Sequence, residues 1–111
     1  MSEAAIQRFI DSLSRRDVDA LQAGYHAQAS LSDPLHPDLR GPQVGCLWRW
    51  RLHRCEGWDV RALTWAGDER KAQLRWQVDW RLRERGGRGR TTIDTTFTFW
   101  DDLIVRQVDE Y

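Results

Sequence analysis

The stretch KAQLRWQVDWRLR, residues 71–83, decides the fold of this chain. Apolar and polar residues alternate strictly along it, and an alternation of period two predicts a β-strand with one buried face. That face carries Trp76, Val78 and Trp80, a wall of large side chains that needs another element to cover it. The stretch therefore predicts a long strand that is packed on one side.

Three further strands are predicted around this one. They span residues 58–65, 91–100 and 103–111. The turns between successive strands lie at Gly67-Asp68, in the glycine-rich segment 85–90 and at Asp101-Asp102. Glycine and aspartate supply the backbone conformations that tight turns require, so this half of the chain predicts an antiparallel meander.

The first part of the chain predicts two helices. Apolar residues have the spacing of one helical face over residues 5–13, at Ile6, Phe9, Ile10 and Leu13. Asp17 is a good N-cap for a short second helix. We expect that second helix to carry Val18, Leu21 and Tyr25.

A strand and a third helix complete the prediction. Ala29, Leu31 and Asp33 alternate with serines, which predicts a strand over residues 29–33 that Pro34 stops. After a loop, a third helix opens at Gly41-Pro42, where the missing N–H of proline costs nothing. We expect this helix to end at Gly57.

This order of elements predicts an α+β fold. Helices followed by a meander bury their apolar faces if the helices lie on one face of an antiparallel sheet. With 111 residues, of which 41% are apolar, the chain can form one core but hardly a second. We therefore predict a single domain over residues 1–111, a curled antiparallel sheet packed on N-terminal helices.

Composition argues against several classes of function. Seventeen basic residues balance seventeen acidic ones, so no strong field attracts nucleic acid or an anionic membrane. No segment has the length of a membrane span, and the first residues lack the basic-then-apolar pattern that predicts a secretion signal. Cys46 and Cys55 lack a metal or redox spacing, which favours reduced thiols in a cytoplasmic protein. The histidines form no metal set and no nucleotide loop occurs, so we expect no metal and no cofactor.

Several short motifs follow one another in a specific order. They are Ser32-Asp33-Pro34, Arg40-Gly41-Pro42, Leu47-Trp48-Arg49, Gly89-Arg90, Phe97-Thr98-Phe99 and Leu103-Ile104-Val105-Arg106. Together they resemble the SnoaL-like branch of the NTF2-like superfamily, which includes ketosteroid isomerase and polyketide cyclases, over nearly the whole chain. The resemblance implies a cone-shaped α+β barrel with a pocket between sheet and helices, usually in a homodimer.

The resemblance also implies roles for single residues. Asp33 falls on the aspartate that moves the proton in ketosteroid isomerase. The oxyanion hole of that enzyme uses a tyrosine and an acid, and Phe9 and Thr95 stand at those positions here. Because losing one such donor costs about 100-fold or more in rate, we expect no efficient ketosteroid isomerase activity.

Asp33 is the strongest candidate for a catalytic residue. On a strand its side chain points the same way as that of Leu31, toward the core, where an ionised carboxylate is costly. Desolvation would raise its pKa toward the range of a general base. The alternative is a structural aspartate that accepts hydrogen bonds from loop amides after Pro34.

The remaining candidates are expected to line the pocket. They are Tyr25, Trp48, Trp76, Val78, Trp80, Arg51, Phe9 and Phe97. For Trp48, Trp76, Val78 and Trp80, core packing is the alternative. For Tyr25, the alternative is a core tyrosine whose hydroxyl is satisfied within the protein. Arg51 lies in the middle of the apolar stripe of the third helix, where it could bind a substrate carboxylate, pair with Asp33, or lay its stem along apolar surface with its head in water.

The sequence thus predicts a protein that binds a small, largely apolar organic molecule. The more specific hypothesis is acid–base catalysis, in which Asp33 moves a proton next to a carbonyl group, as in an isomerase, cyclase or dehydratase. The alternative is a non-catalytic ligand-binding or dimerisation module, because this fold hosts many functions. We also expect a homodimer through the outer face of the sheet, since so many tryptophans exceed what three short helices can cover.

Overall fold

A computed structural model describes residues 2–111 of the chain. The helices are α1 (Ser2–Ser14), α2 (Val18–Ala23) and α3 (Pro42–Arg54). The strands are β1 (Tyr25–Ser32), β2 (Leu39–Arg40), β3 (Cys55–Gly67), β4 (Lys71–Leu82), β5 (Arg88–Trp100) and β6 (Leu103–Glu110). The α+β fold with its curled sheet packed on N-terminal helices is confirmed. Among the described residues, no helix has the length and hydropathy needed to cross a bilayer.

The six strands form one open sheet in the order β2-β1-β6-β5-β4-β3. The pairs β3–β4, β4–β5 and β5–β6 are antiparallel, as the turn residues predict. The expectation of a wholly antiparallel sheet is wrong at one pair, because β1 runs parallel to β6. The cause is local, because β1 starts directly after α2 and beside the first residues of β6. There the Ile104 N–H donates to the Gly24 carbonyl at 2.9 Å.

The second helix is shorter than predicted. Asp17 caps it as expected, accepting from the Ala20 N–H at 3.0 Å. The helix ends at Ala23, however, and Tyr25 is the first residue of β1 rather than part of a helix. This difference turns the Tyr25 side chain into the interior, where it is 5% exposed.

The third helix ends earlier than predicted, because an arginine from the turn after α1 caps it. Arg16 adopts a left-handed backbone conformation (φ 58°) and donates to the carbonyl oxygens of Leu52 and Cys55. It also donates to the Glu56 carbonyl at 3.3 Å. These bonds satisfy carbonyls that a helix end leaves without a partner, so strand β3 starts at Cys55 instead of after Gly57.

The core lies between α1, α3 and the inward face of the sheet. The residues of β4 that alternation predicts to be buried, Ala72, Leu74, Trp76 and Val78, are all buried. Toward β3 and the C-terminal end of α3, the inward side chains are only partly covered by helices. This incomplete cover leaves the cleft described next.

Candidate functional site

A cleft of about 320 Å³ opens between the C-terminal half of α3 and the inward face of β3, β4 and β5. Five indole rings line it, from Trp48, Trp50, Trp58, Trp76 and Trp80. The other lining residues are Arg51, Arg54, Cys55, Val78, Leu82, Thr91, Ile93 and Tyr111. The wall is therefore mostly aromatic and aliphatic, which suits a flat apolar ligand.

Most of the indole N–H groups of the cleft have acceptors in the protein. Trp48 donates to the Tyr25 hydroxyl at 3.1 Å, Trp76 to Thr95 Oγ1 at 2.9 Å, and Trp80 to Thr91 Oγ1 at 3.0 Å. These bonds fix the ring orientations, so this part of the wall is preformed. Trp58 differs: its Nε1 is buried and has no hydrogen-bond partner within residues 2–111.

A buried chain of hydrogen bonds runs behind this wall. The Tyr25 hydroxyl donates to Gln107 Oε1, and Gln107 Nε2 donates to Asp109 Oδ1 at 3.0 Å. Thr95 Oγ1 donates to the same carboxyl oxygen at 2.7 Å. Through Trp48 and Trp76 the chain is anchored to the cleft wall at both ends.

Burial governs the titration of the ionisable groups in this hydrogen-bond chain. Desolvation raises the pKa of Asp109 above its ordinary value of 3.8, against the opposing effect of its hydrogen bonds from Gln107 and Thr95. Burial, together with the nearby Asp109, also raises the pKa of Tyr25 far above its ordinary value of 10.0. Among the described residues, Asp109 is the carboxyl group with the environment that the sequence led us to expect for Asp33.

Asp33 occupies a different environment. Its side chain is 0% exposed, and one carboxylate oxygen accepts from the backbone N–H of Leu35 at 2.9 Å and of His36 at 2.6 Å. Nδ1 of His36 lies 3.1 Å from that oxygen, and Arg51 donates to the other one. The carboxylate thus closes the loop after β1.

The expectation of a raised pKa for Asp33 is wrong. Desolvation is the largest single effect and raises the pKa. The loop amides of Leu35 and His36, together with the guanidinium of Arg51, outweigh it and lower the pKa below 3.8. A carboxylate held in this way is a weak base unless Arg51 moves. The structural alternative stated for Asp33 describes these contacts better.

Arg51 joins the Asp33 loop to the cleft. It pairs with Asp33, which is one of the three alternatives that the sequence left open for this arginine. Only 18% of its side chain is exposed. Its guanidinium lies 5.2 Å from the centre of the Trp48 ring, and its Nη2 donates to the Tyr111 hydroxyl at 3.5 Å. One side of this arginine faces the cleft while the other holds a buried carboxylate.

The sequence candidates divide into two groups. Arg51, Trp48, Trp76, Val78 and Trp80 line the cleft. The lining does not include Asp33, Tyr25, Phe9 or Phe97.

Phe9 and Phe97 belong to the aromatic core. The ring of Phe9 makes edge contacts with Trp48, Trp76 and Phe97, at centroid distances of 6.1, 5.8 and 5.1 Å. These contacts place both side chains in the core, away from the cleft that the sequence predicted them to line. Whether the residues that do line the cleft contact a ligand stays a prediction.

Sequence reasoning missed several residues that now matter. Arg54, Trp58 and Tyr111 line the cleft, and Gln107 and Asp109 form the chain behind it. For the last strand the sequence does contain a signal. Gln107, Asp109 and Tyr111 are spaced two residues apart, so a strand places their side chains on one face. For Arg54 and Trp58 no such signal existed, since their position depends on where α3 ends.

The charges of the lining are of one sign. Arg51 and Arg54 contribute two guanidinium groups, and the lining contains no aspartate or glutamate side chain. Histidine, cysteine and acidic residues form no cluster that could hold a metal ion within the part of the chain that the structure describes.

Comparison with known proteins gives a consistent assignment. Residues 6–107 match the family of the SnoaL-like domain. No curated protein is similar enough to give a match.

Three solved structures illustrate the likeness in fold. A protein with a ketosteroid isomerase-like fold from Catenulispora acidiphila, in complex with trimethylamine, has a TM-score of 0.86 at 11% identity and covers 96% of this chain and 84% of its own. A Mycobacterium tuberculosis epoxide hydrolase has a TM-score of 0.81 at 18% identity, and the match covers 96% of this chain and 79% of the hydrolase. A candidate polyketide cyclase from Sinorhizobium meliloti has a TM-score of 0.75 at 23% identity, and the match covers 96% of this chain and 93% of the cyclase.

Proposed function

Because this chain belongs to the SnoaL-like domain family, we propose that its tryptophan-lined cleft binds a small, largely apolar organic molecule. The observation that carries the proposal is the cleft itself, a preformed space of about 320 Å³ walled by five indole rings. Its volume lies at the lower end of the range for small-molecule sites, ~300–1,000 Å³. The rings of Trp58 and Trp80 are only partly buried, so part of this apolar wall is open to a ligand.

A neutral aromatic probe tests this proposal. We expect 2-naphthamide to bind in isothermal titration calorimetry and to quench tryptophan fluorescence. Replacing Trp58 by alanine removes one wall of the cleft, and we expect binding to weaken about tenfold, as for a buried aromatic contact worth ~1.4 kcal/mol. The matched control is Trp65→Ala, since Trp65 lies on the same strand outside the cleft and is 42% exposed.

Two results would contradict the proposal. One is the absence of binding at millimolar probe. The other is an equal affinity in Trp58→Ala and Trp65→Ala, which would place the probe elsewhere on the surface.

Acid–base catalysis with Asp33 as the general base is a second candidate function. The observation that favours it is the double contact of Arg51, which lines the cleft and also holds the Asp33 carboxylate. A ligand that draws the guanidinium toward itself weakens that pair, and the desolvated carboxylate then becomes a stronger base. The reaction would be proton removal next to a carbonyl group, as in an isomerase, cyclase or dehydratase.

Proton exchange tests this second candidate without knowledge of the substrate. In D₂O a carboxylate that takes an α-proton from 2-tetralone leaves an enolate, and a deuteron from the exchanged carboxyl group then returns to carbon. We expect the protein to accelerate this exchange, measured by NMR, and Asp33→Asn to abolish the acceleration. Asp38→Asn, a change in the same loop at a half-exposed carboxylate that pairs with Arg40, is the control. Equal exchange with and without protein, or in both variants, would exclude Asp33 as the base.

A further inference from the structure

The charges and donors of the cleft specify a ligand class. Resting on the proposed function, we infer that the ligand of this cleft is an anion, a planar aromatic carboxylate of one or two rings whose carboxylate lies at the Arg54 end and whose rings lie among the tryptophans. Three observations carry this inference: the unbalanced charge of the lining, the arginines around the C-terminal end of α3, and an indole N–H that has no acceptor.

The charge of the lining is not balanced by the protein. Arg51 is neutralised by Asp33, which lies behind it. Arg54 stacks on the Trp50 ring at 4.7 Å and makes no ion pair with any carboxylate among residues 2–111. A bound carboxylate would supply the missing counter-charge and could accept two parallel N–H bonds from the guanidinium.

Further guanidinium groups surround the same end of α3. Arg16 caps the helix and donates to the Cys55 carbonyl, and Arg83 Nε donates to the His53 carbonyl at 2.7 Å. The charges of Arg16, Arg54 and Arg83 each lower the pKa of the Cys55 thiol, although burial raises that pKa more. Because Cys55 lies in the cleft wall, this field acts inside the cleft and favours a negative charge there.

Trp58 supplies the neutral donor of the site. Its Nε1 is buried without an acceptor, whereas Trp48, Trp76 and Trp80 each donate to a hydroxyl of the protein. A buried donor without a partner costs about 1–3 kcal/mol, and a ligand oxygen would recover this cost once the Trp58 ring turns its N–H, which is closed off from solvent, toward the cleft. A carboxylate has oxygen acceptors for both the Arg54 guanidinium and this indole.

Three probes with the same ring system separate charge from shape. They are 2-naphthoate, neutral 2-naphthamide and the cation 2-naphthylmethylammonium, titrated calorimetrically at a pH of about 7.5, where all three keep these charges. We expect 2-naphthoate to bind at least tenfold tighter than the amide, and the cation to bind most weakly. Raising NaCl from about 0.05 to about 0.5 M should weaken only the binding of 2-naphthoate strongly, because the longer-range attraction is screened.

Two substitutions locate the donors. Arg54→Gln should weaken 2-naphthoate about tenfold and leave 2-naphthamide within a factor of two, since a single charge-assisted contact at a partly exposed site is worth about that much. Arg49→Gln, the same change on α3 at an arginine outside the cleft, is the matched control. Trp58→Phe keeps the ring and removes the N–H, so both probes should weaken about fivefold, because each has a carbonyl oxygen to accept that bond.

The outcomes distinguish this inference from the proposed function. If the amide binds in the cleft as tightly as the naphthoate, or the cation binds as tightly as the anion, the ligand class is wrong while the apolar site stands. Equal effects of Arg54→Gln and Arg49→Gln overturn the inference in the same way. If none of the three probes binds, the proposed function fails together with the inference.

Discussion

Two aspartates show how environment sets the behaviour of one residue type. Asp33 and Asp109 both have buried carboxyl groups, yet the pKa of Asp33 is lowered and that of Asp109 is raised. Asp33 receives two backbone N–H bonds and a guanidinium, which favour its charged form. Asp109 receives only neutral donors, from Thr95 and Gln107, which do not compensate for its desolvation.

Replacing Asp33 by asparagine should destabilise the protein at neutral pH. The folded-state pKa is lowered, so the contacts of the charged form stabilise the fold above the ordinary value of 3.8 and are lost as the pH falls through the folded-state pKa. We expect Asp33→Asn to lose ~1–3 kcal/mol of unfolding free energy at pH 7, because Arg51 and the loop amides lose a charged acceptor. The difference from wild type should shrink in acid. Urea denaturation at several pH values measures both effects, and a variant as stable as wild type at pH 7 would show that these contacts contribute nothing.

Replacing Asp109 by asparagine should have the opposite sign. Its folded-state pKa is raised, so wild-type stability declines as the pH rises from the ordinary value of 3.8 through the folded-state pKa. We expect Asp109→Asn to be neutral or about 1 kcal/mol more stable at pH 7, since the amide oxygen still accepts from Thr95 and no charge is buried. Asp109→Leu is the control and should lose ~1–3 kcal/mol, because Thr95 and Gln107 lose their acceptor. A large loss in Asp109→Asn, with a melting temperature that rises with pH in wild type, would contradict the raised pKa.

At the residue scale, the sequence predicts which side chains point inward but not which polar groups meet. The alternation around Trp76 and the inward direction of Asp33 follow from the period of a strand. The lowered pKa of Asp33 depends on a turn that brings two amides back to its carboxylate and on a helical arginine 18 positions away. Neither contact is encoded in a local period, which is why the expected sign of the shift was wrong.

At the scale of elements, strands were predicted more accurately than helix ends. Strands β4, β5 and β6 begin and end within a few residues of the prediction because turn residues bound them. Strand β3 is longer than predicted, and α3 shorter, because Arg16 from outside the helix caps its last carbonyls. The two-residue strand β2 lies in a segment predicted as loop, and its pairing with β1 is not visible in so short a stretch.

Gly89 on β5 permits the position of the Trp80 ring on β4. The two residues are directly opposite in the sheet, and a Cβ added at Gly89 would lie 2.7 Å from Cζ2 of Trp80. Gly89→Ala should therefore displace the indole, break its hydrogen bond to Thr91, and cost ~1–3 kcal/mol as an overpacked contact. Weaker 2-naphthamide binding should accompany that loss. Gly87→Ala is the control, since its Cβ would make only ordinary contact with Leu82 at 3.5 Å. Similar melting temperatures for both variants would show that the ring adjusts freely.

At the scale of the whole molecule, the resemblance in the order of motifs gave the architecture, and composition alone did not. Seven tryptophans suggested more exposed aromatic surface than is found, because Trp48 and Trp76 are buried and Trp58 and Trp80 lie against the core. The outward face of the sheet carries mainly threonines and ion pairs. Arg75 pairs with Asp94 at 2.8 Å across β4 and β5. The most exposed indole is that of Trp100, at the end of β5.

The homodimer through the outer face of the sheet stays a prediction, and it is now more specific. Trp100 is 71% exposed at the end of β5, next to a face whose threonines leave β-branched, uncharged surface between the ion pairs. Burying this surface against a second copy would remove the exposed indole from water, a gain of about 25 cal/mol for each Å² of apolar area. We expect sedimentation equilibrium to give a dimer at roughly tens of micromolar, the range in which a standard interface associates.

Trp100→Glu should weaken the dimer at least tenfold, because it places an uncompensated charge in the contact. Trp50→Glu places the same charge at an exposed tryptophan on α3 and should leave association unchanged. A wild-type monomer at these concentrations would exclude the dimer, and equal weakening by both variants would move the contact away from the outer face.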